Sequence, residues 1–157
     1  MPQLHFPDPT TCSFSELGAA LVRAADRHTA APEVRHDNTA RGFSLAVDDV
    51  QVTAIHSPNS KLGGNTVYFL IDLGLMPVSD ELAAWRALME VNFELLKGNA
   101  ICFSRRPVTG EVLLQKAWSL EQGEVDDLLC ELLMMVKLAR RWREEGFLAE
   151  TLMAEPA

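Results

Sequence analysis

Apolar residues recur with the 3.6-residue period of a helix in three stretches of the chain, at about 14–28, 80–97 and 123–145. Ser13 and Glu16 have the spacing of a capping box, which marks the start of the first stretch, and Ser79 or Asp80 is predicted to cap the second. The pattern therefore predicts three amphipathic helices.

Other stretches alternate apolar and polar residues with the two-residue period of a strand, and short turns join most neighbours, which favours antiparallel pairing. The stretch at about 66–73 is nearly apolar on both faces, which predicts a central strand covered on both sides. The predicted order is α-β-β-β-α-β-β-α, an α+β fold with three helices on an antiparallel twisted sheet of about five strands. These strands are predicted at about 42–48, 50–56, 66–73, 100–105 and 111–118.

A chain of 157 residues fits a single domain with one core. Within it, 13–145 is predicted to form the folded core, between an irregular lead-in at 1–12 and a C-terminal tail at 146–157. Residues 29–41 read as a polar connector, and Asp48-Asp49 as a tight turn between two strands.

The second predicted helix carries more apolar surface than one sheet can cover. Its apolar arc spans about 200° at 100° per residue, whereas packing on a sheet needs a stripe of about 100°. The surplus indicates a second contact, either with another part of the same chain or with a second copy. Asn92 lies at the centre of the arc, and a lone Asn in a helix seam can fix the register of two partners. We therefore predict a homodimer with an interface formed by Trp85, Leu88, Met89, Asn92 and Phe93. The sequence does not show which flank of the helix faces the partner subunit.

The third predicted helix is apolar almost all round. A core-facing stripe runs from Leu128 to Val136, and Met134, Met135 and Trp142 lie away from its centre. Methionine suits surfaces that accept irregular partners, although core filling accounts for the two methionines equally well. The residues predicted to contact an extended partner segment are Phe14, Leu17, Leu21, Phe43 and Leu45, followed by Met134 and Met135.

No pattern of catalytic, nucleotide-binding or metal-binding residues is present in the sequence. Cys12, Cys102 and Cys130 are far apart, without a C-x-x-C pair, which favours reduced thiols over a disulfide framework or a zinc site. We therefore expect no cofactor, no metal and no enzymatic activity. A small enzyme or ligand-binding pocket remains the third possible function, and it would require polar groups converging in a cleft.

The formal net charge is −8 at pH 7, which disfavours nucleic acid and anionic membranes as partners and is compatible with a basic or mixed-charge polypeptide. The sequence contains no apolar run of about 18 residues and no recognisable secretory signal at its N-terminus. These features predict a cytoplasmic protein.

Three segments, 87–93 (ALMEVNF), 98–103 (GNAICF) and 107–114 (PVTGEVLL), resemble the type III secretion chaperones of the Tir-chaperone family. The order of elements over roughly 13–145 is also similar. The resemblance implies a homodimeric chaperone without nucleotide, which binds a segment near the N-terminus of a secreted effector and keeps it competent for export. It also implies that the second helix helps to build the dimer interface. The connector 29–41 and the tail 146–157 depart from the family pattern and leave the client's identity and path open.

A regulatory or structural module of the same fold, binding a partner that is not secreted, is the alternative. The sequence does not separate it from a secretion chaperone.

Overall fold

The computed structural model describes residues 14–25, 33–36, 41–57, 64–76, 79–95, 101–121 and 124–145. The three helices are α1 (Phe14–Ala25), α2 (Glu81–Leu95) and α3 (Val125–Glu145). The strands are β1 (Glu33–His36), β2 (Arg41–Val47), β3 (Val50–His56), β4 (Thr66–Gly74), β5 (Ile101–Arg105) and β6 (Val112–Ser119).

The strands form one sheet in the order β1-β2-β3-β4-β6-β5, and every neighbouring pair is antiparallel. The predicted α+β fold class is therefore confirmed: three helices accompany one antiparallel sheet. The helices and the five predicted strands lie within a few residues of their predicted positions.

One prediction about the connector is corrected by the sheet. Residues 33–36, inside the segment 29–41 that was predicted to be a polar connector, form β1 and pair with β2. The stretch Glu-Val-Arg-His has a single aliphatic residue and therefore no alternation that reveals a strand. Its extended conformation depends on the neighbouring strand, which is a tertiary contact.

The core lies on one face of the sheet, where α1 and α3 pack. Along β4 the buried residues alternate with half-buried ones, and Val67, Phe69, Ile71 and Leu73 are all fully buried. β4 is central, as predicted, but its second face, with Tyr68 and Leu70, is only half-buried. The expectation of a strand covered on both sides is thus corrected, because no described helix packs over that second face.

Two turn and cap predictions are confirmed. Asp48 and Asp49 both have positive φ, 47° and 65°, as in the two-residue turn that closes a tight hairpin. Asp80 caps the N-terminus of helix α2, since its Oδ1 accepts a hydrogen bond from the Ala83 N–H at 3.0 Å. The capping box predicted at Ser13 lies outside the described residues.

The end of α3 is fastened to the end of β4 and to the β2–β3 turn. Arg143 donates hydrogen bonds to the carbonyl oxygens of Asp72 and Asp49 at 2.7 and 2.9 Å. The Trp142 indole N–H reaches the Leu75 carbonyl oxygen at 3.4 Å. These contacts fix the direction of α3 across the sheet and therefore position the surfaces described next.

Candidate interaction surfaces on the second and third helices

Helix α2 turns one apolar flank inwards and the other outwards. Ala84 and Leu88 are completely buried in the core. Leu82, Met89 and Phe93 are exposed, and their spacing of seven and four residues places them in one line along the helix. We call these three residues the α2 stripe. Phe93 is 66% exposed, which is unusual for a large aromatic side chain.

The polar residue at the centre of the apolar arc has a partner within the chain. The Asn92 carboxamide donates to the Phe103 carbonyl oxygen at 2.8 Å and accepts from the Phe103 N–H at 2.6 Å. Asn92 therefore joins α2 to the outer side of β5. Both the amide and the carbonyl oxygen of the Asn92 side chain thus have a hydrogen-bond partner within the same chain.

The two flanks divide the five residues predicted for the dimer interface. Met89 and Phe93 lie on the outer flank, whereas Trp85 and Asn92 are half-buried between the flanks. Leu88 is a core residue, so its place in an interface is corrected: a side chain with no exposed surface cannot contact another subunit. The structure decides which flank faces out, which the wheel alone left open.

A largely apolar groove separates the second half of α2 from α3, with the β5–β6 hairpin as its floor. Its volume is about 530 Å³, which falls within the range of sites that bind small molecules or peptide side chains. The Lys116 ammonium pairs with the Glu131 carboxylate in the wall, so the one buried charge of the groove is neutralised. The groove is lined by Val91, Leu95, Ile101, Phe103, Leu114, Lys116, Glu131, Met134, Met135 and Leu138.

The two methionines of α3 have different environments. Met134 is 70% exposed at the groove, whereas Met135 is buried and contributes only part of its surface to the groove wall. Trp142, which the sequence placed away from the core-facing stripe, is also buried. The buried stripe of α3 is thus wider than predicted, and Met134 is the large apolar residue that it leaves exposed.

The other residues predicted to contact a partner belong to the core. Leu17, Leu21, Phe43 and Leu45 are buried where α1 packs on β2. Phe14 is half-buried, with its ring centroid 5.3 Å from that of Phe43 and 5.1 Å from that of His56. The role proposed for the four buried residues is corrected for this state of the chain, because a partner segment reaches them only if α1 moves.

The described residues offer little for catalysis. Within them no three or more His, Cys, Asp and Glu side chains lie together as metal ligands would. Cys102 and Cys130 are free thiols, and burial raises the pKa of Cys102 above its ordinary value of 9.0. Cys12 lies outside the described residues. No helix among the described ranges has the length and apolar character needed to cross a membrane.

The groove and part of the α2 stripe were missed at the sequence level. Leu82 belongs to the same apolar arc as Met89, so the wheel could have included it. Residues from α2, β5, β6 and α3 form the groove, and no local pattern links segments so far apart in sequence.

Comparison with known proteins agrees with this architecture. The model of the Tir chaperone protein (CesT) family matches residues 38–143. A chain of the crystal structure of the ExsC–ExsE complex superposes with a TM-score of 0.63, covering 88% of this chain and 96% of that one. The two sequences are 19% identical, so this likeness shows the fold alone. No curated protein matches the chain in sequence.

Proposed function

Since the chain belongs to the Tir chaperone protein (CesT) family, we propose that it is a cytoplasmic, homodimeric type III secretion chaperone. It binds an extended segment of a secreted effector and keeps that effector competent for export. It does so by holding the client and without enzymatic chemistry or a cofactor.

The observation that carries the proposal is the presence of two separate apolar surfaces on one subunit. The α2 stripe faces outwards, while the groove opens between α2 and α3. Exposed apolar patches of this kind on a folded chain mark sites of protein interaction. Two surfaces suit a protein that binds both a second copy of itself and a client.

We assign self-association to the α2 stripe. A two-fold interface uses the same patch on both subunits, so a single straight row of apolar side chains on a helix is self-complementary. The 15 residues of α2 correspond to a helix of about 22 Å, long enough to form the centre of such a contact. Trp85, half-buried beside the stripe, would form the rim.

We assign the client to the groove, with Met134 as the central contact. A flexible thioether accepts side chains of varied shape, as a surface that binds an extended segment must. The apolar lining provides anchors for side chains of the client, and strand addition at a sheet edge would hold its backbone. Phe14 is a second, half-buried candidate on the α1 side.

The structurally similar chain supports this assignment indirectly. It comes from a structure described as the ExsC–ExsE complex, in which a protein of this fold is bound to a partner. By analogy, partner binding is the activity to test first in the present chain.

The test is co-purification from the native bacterium with a tag on the chromosomal copy. We expect one protein to accompany the chain near stoichiometrically, to appear in the medium when secretion is induced, and to be lost from the medium when the chaperone is deleted. Met134→Asp should reduce the recovered client, while Val108→Asp, at a fully exposed apolar position remote from the groove lining, serves as the matched control. A partner that never reaches the medium would favour the regulatory module.

A further inference from the structure

The described sheet ends in two outer strands, β1 on one side and β5 on the other. An outer strand presents N–H and C=O groups along its free side and can accept another strand there. The two edges of this sheet are not equivalent, because α2 lies beside β5.

The register shows which residues of β5 face outwards. In a hairpin with a two-residue turn, the residues flanking the turn exchange both backbone hydrogen bonds, here Val47 and Val50. Antiparallel pairs alternate between bonded and non-bonded positions, and the observed registers carry this alternation across the sheet. It places the backbone groups of Ile101, Phe103 and Arg105 on the side of β5 that faces away from β6.

Asn92 occupies the middle of these three positions. Its carboxamide is chemically a peptide group, and it exchanges two hydrogen bonds with Phe103 at 2.8 and 2.6 Å. The facing residue of an added antiparallel strand would make the same two bonds. The register and the contacts of Asn92 therefore agree that the backbone N–H and C=O of Phe103 face the free edge.

We propose that Asn92 closes the β5 edge to strand addition. Because the backbone groups of Phe103 are already bonded to Asn92, only Ile101 and Arg105 remain available on the outward side of β5. These two positions are not successive, so an incoming strand cannot form two successive bonded pairs. Association through the α2 stripe then stays a contact between side chains and does not extend into edge-to-edge pairing of two sheets.

The opposite edge of the sheet, β1, has no such block within the described residues and can accept an extended client segment. By the same alternation, the backbone groups of Val34 and His36 in β1 face away from β2. β1 is then the edge at which a client strand can be added. This part rests on the proposed function, whereas closure of β5 is a property of the free chain and is tested without a client.

The test compares the wild-type chain with Asn92→Ala and Asn92→Leu, the second of which keeps most of the side-chain volume if alanine loosens α2. Glu90→Ala, at an exposed position on the same helix, is the matched control. Amide hydrogen exchange at Phe103 is measured relative to Ile71 in the central strand, and light scattering after size exclusion gives the mass over a range of concentrations.

Loss of the two bonds should speed exchange at Phe103 about tenfold relative to Ile71, and both Asn92 variants should form species larger than the wild type as concentration rises. Adding Arg105→Pro, which removes an outward N–H from β5, should return the mass to the wild-type value. The control should match the wild type in both measurements.

Unchanged exchange at Phe103 would overturn the proposal, as would a wild-type mass for both Asn92 variants at all concentrations. Association that persists in the Asn92→Ala/Arg105→Pro double variant would also overturn it, because the contact would then not involve the β5 edge. A merely structural role in attaching α2 would alter the melting temperature and leave the mass unchanged.

Discussion

Val108 lies at the tip of the β5–β6 hairpin in a backbone conformation that a β-branched residue rarely adopts. Its φ is 73°, and the Thr109 N–H bonds to the Pro107 carbonyl oxygen at 2.9 Å, closing a three-residue turn around it. The side chain is fully exposed, so no packing offsets the strain. The position therefore stores conformational energy on the surface.

Val108→Gly should stabilise the chain by about 1 kcal/mol, since relief of about 1–3 kcal/mol of strain exceeds the entropy cost of glycine. Urea unfolding measures the change as a higher midpoint with the same slope. Gly110→Ala should have the opposite effect and lower the midpoint, because φ at Gly110 is 83° and a Cβ there would meet the Arg105 guanidinium at 2.9 Å. A lower midpoint for Val108→Gly would contradict the strain.

The two described cysteines should differ in reactivity. Cys130 is exposed on α3, whereas Cys102 is partly buried and its pKa is raised above 9.0 by loss of hydration. Because the thiolate is the reactive form, iodoacetamide at pH 8 should label Cys130 first and Cys102 slowly, as read by mass spectrometry. In denaturant both should react alike, and a stable disulfide between any of the three cysteines would contradict the prediction of reduced thiols.

The raised pKa of Cys102 also makes the free energy of unfolding depend on pH. Above about pH 9 the unfolded chain loses this proton more readily than the folded chain, so the unfolded state binds fewer protons. The thiol's contribution to the free energy of unfolding is complete below that pH. It falls as the pH rises through the folded-state value.

The two flanks of helix α2 have different roles: the inner flank packs in the core, and the outer flank carries the α2 stripe, to which we assign self-association. Met89→Glu or Phe93→Glu should weaken the dimer about 100-fold or more, because each large apolar side chain contributes about 1.5–3 kcal/mol and occurs twice in a two-fold contact. Light scattering after size exclusion would show a shift from twice 17.4 kDa towards 17.4 kDa. Circular dichroism should show that these variants remain folded.

Leu88→Glu is the matched control on the opposite flank. It places a charge in the core, where an unpaired ion is costly, so it should unfold the chain and not merely dissociate it. A folded monomer for Leu88→Glu would contradict the assignment of the flanks. A mass of 17.4 kDa for the wild-type chain at micromolar concentration would contradict the dimer itself.

The two sheet edges allow a paired test with proline. Val34→Pro removes an outward N–H from β1 without interrupting its bonds to β2, and Arg105→Pro does the same on β5. If a client strand adds at β1, co-purified client should fall for Val34→Pro and stay at the wild-type level for Arg105→Pro. The reverse result would place the client at the β5 edge.

The whole molecule combines a net charge of −8 with two exposed apolar surfaces. Mutual repulsion between acidic chains opposes non-specific association, so apolar surface can remain available for particular partners. An extended client that orders on binding should give a strongly negative heat-capacity change by titration calorimetry. A value near zero, with the client identified by co-purification, would contradict binding of an extended segment.

Local order was well predicted from the sequence because periodicity is a property of neighbouring residues. The helices and five of the strands follow from the spacing of apolar positions, and the turn at Asp48-Asp49 and the cap at Asp80 follow from their local chemistry. The resemblance to the Tir-chaperone family is confirmed over residues 38–143. Strand β1 was not predicted, because its conformation depends on pairing with β2.

The sequence by itself determined the elements, their order and an excess of apolar surface on α2 and α3. The tertiary structure alone decided where that excess lies: Leu88 and Met135 went into the core, while Phe93 and Met134 stayed exposed. Helical phase fixes which residues share a face, but the rotation of a helix depends on contacts with distant segments, such as the bonds between Asn92 and Phe103. For that reason a helical wheel shows that a helix has an apolar surface, and only the packed chain shows where that surface faces.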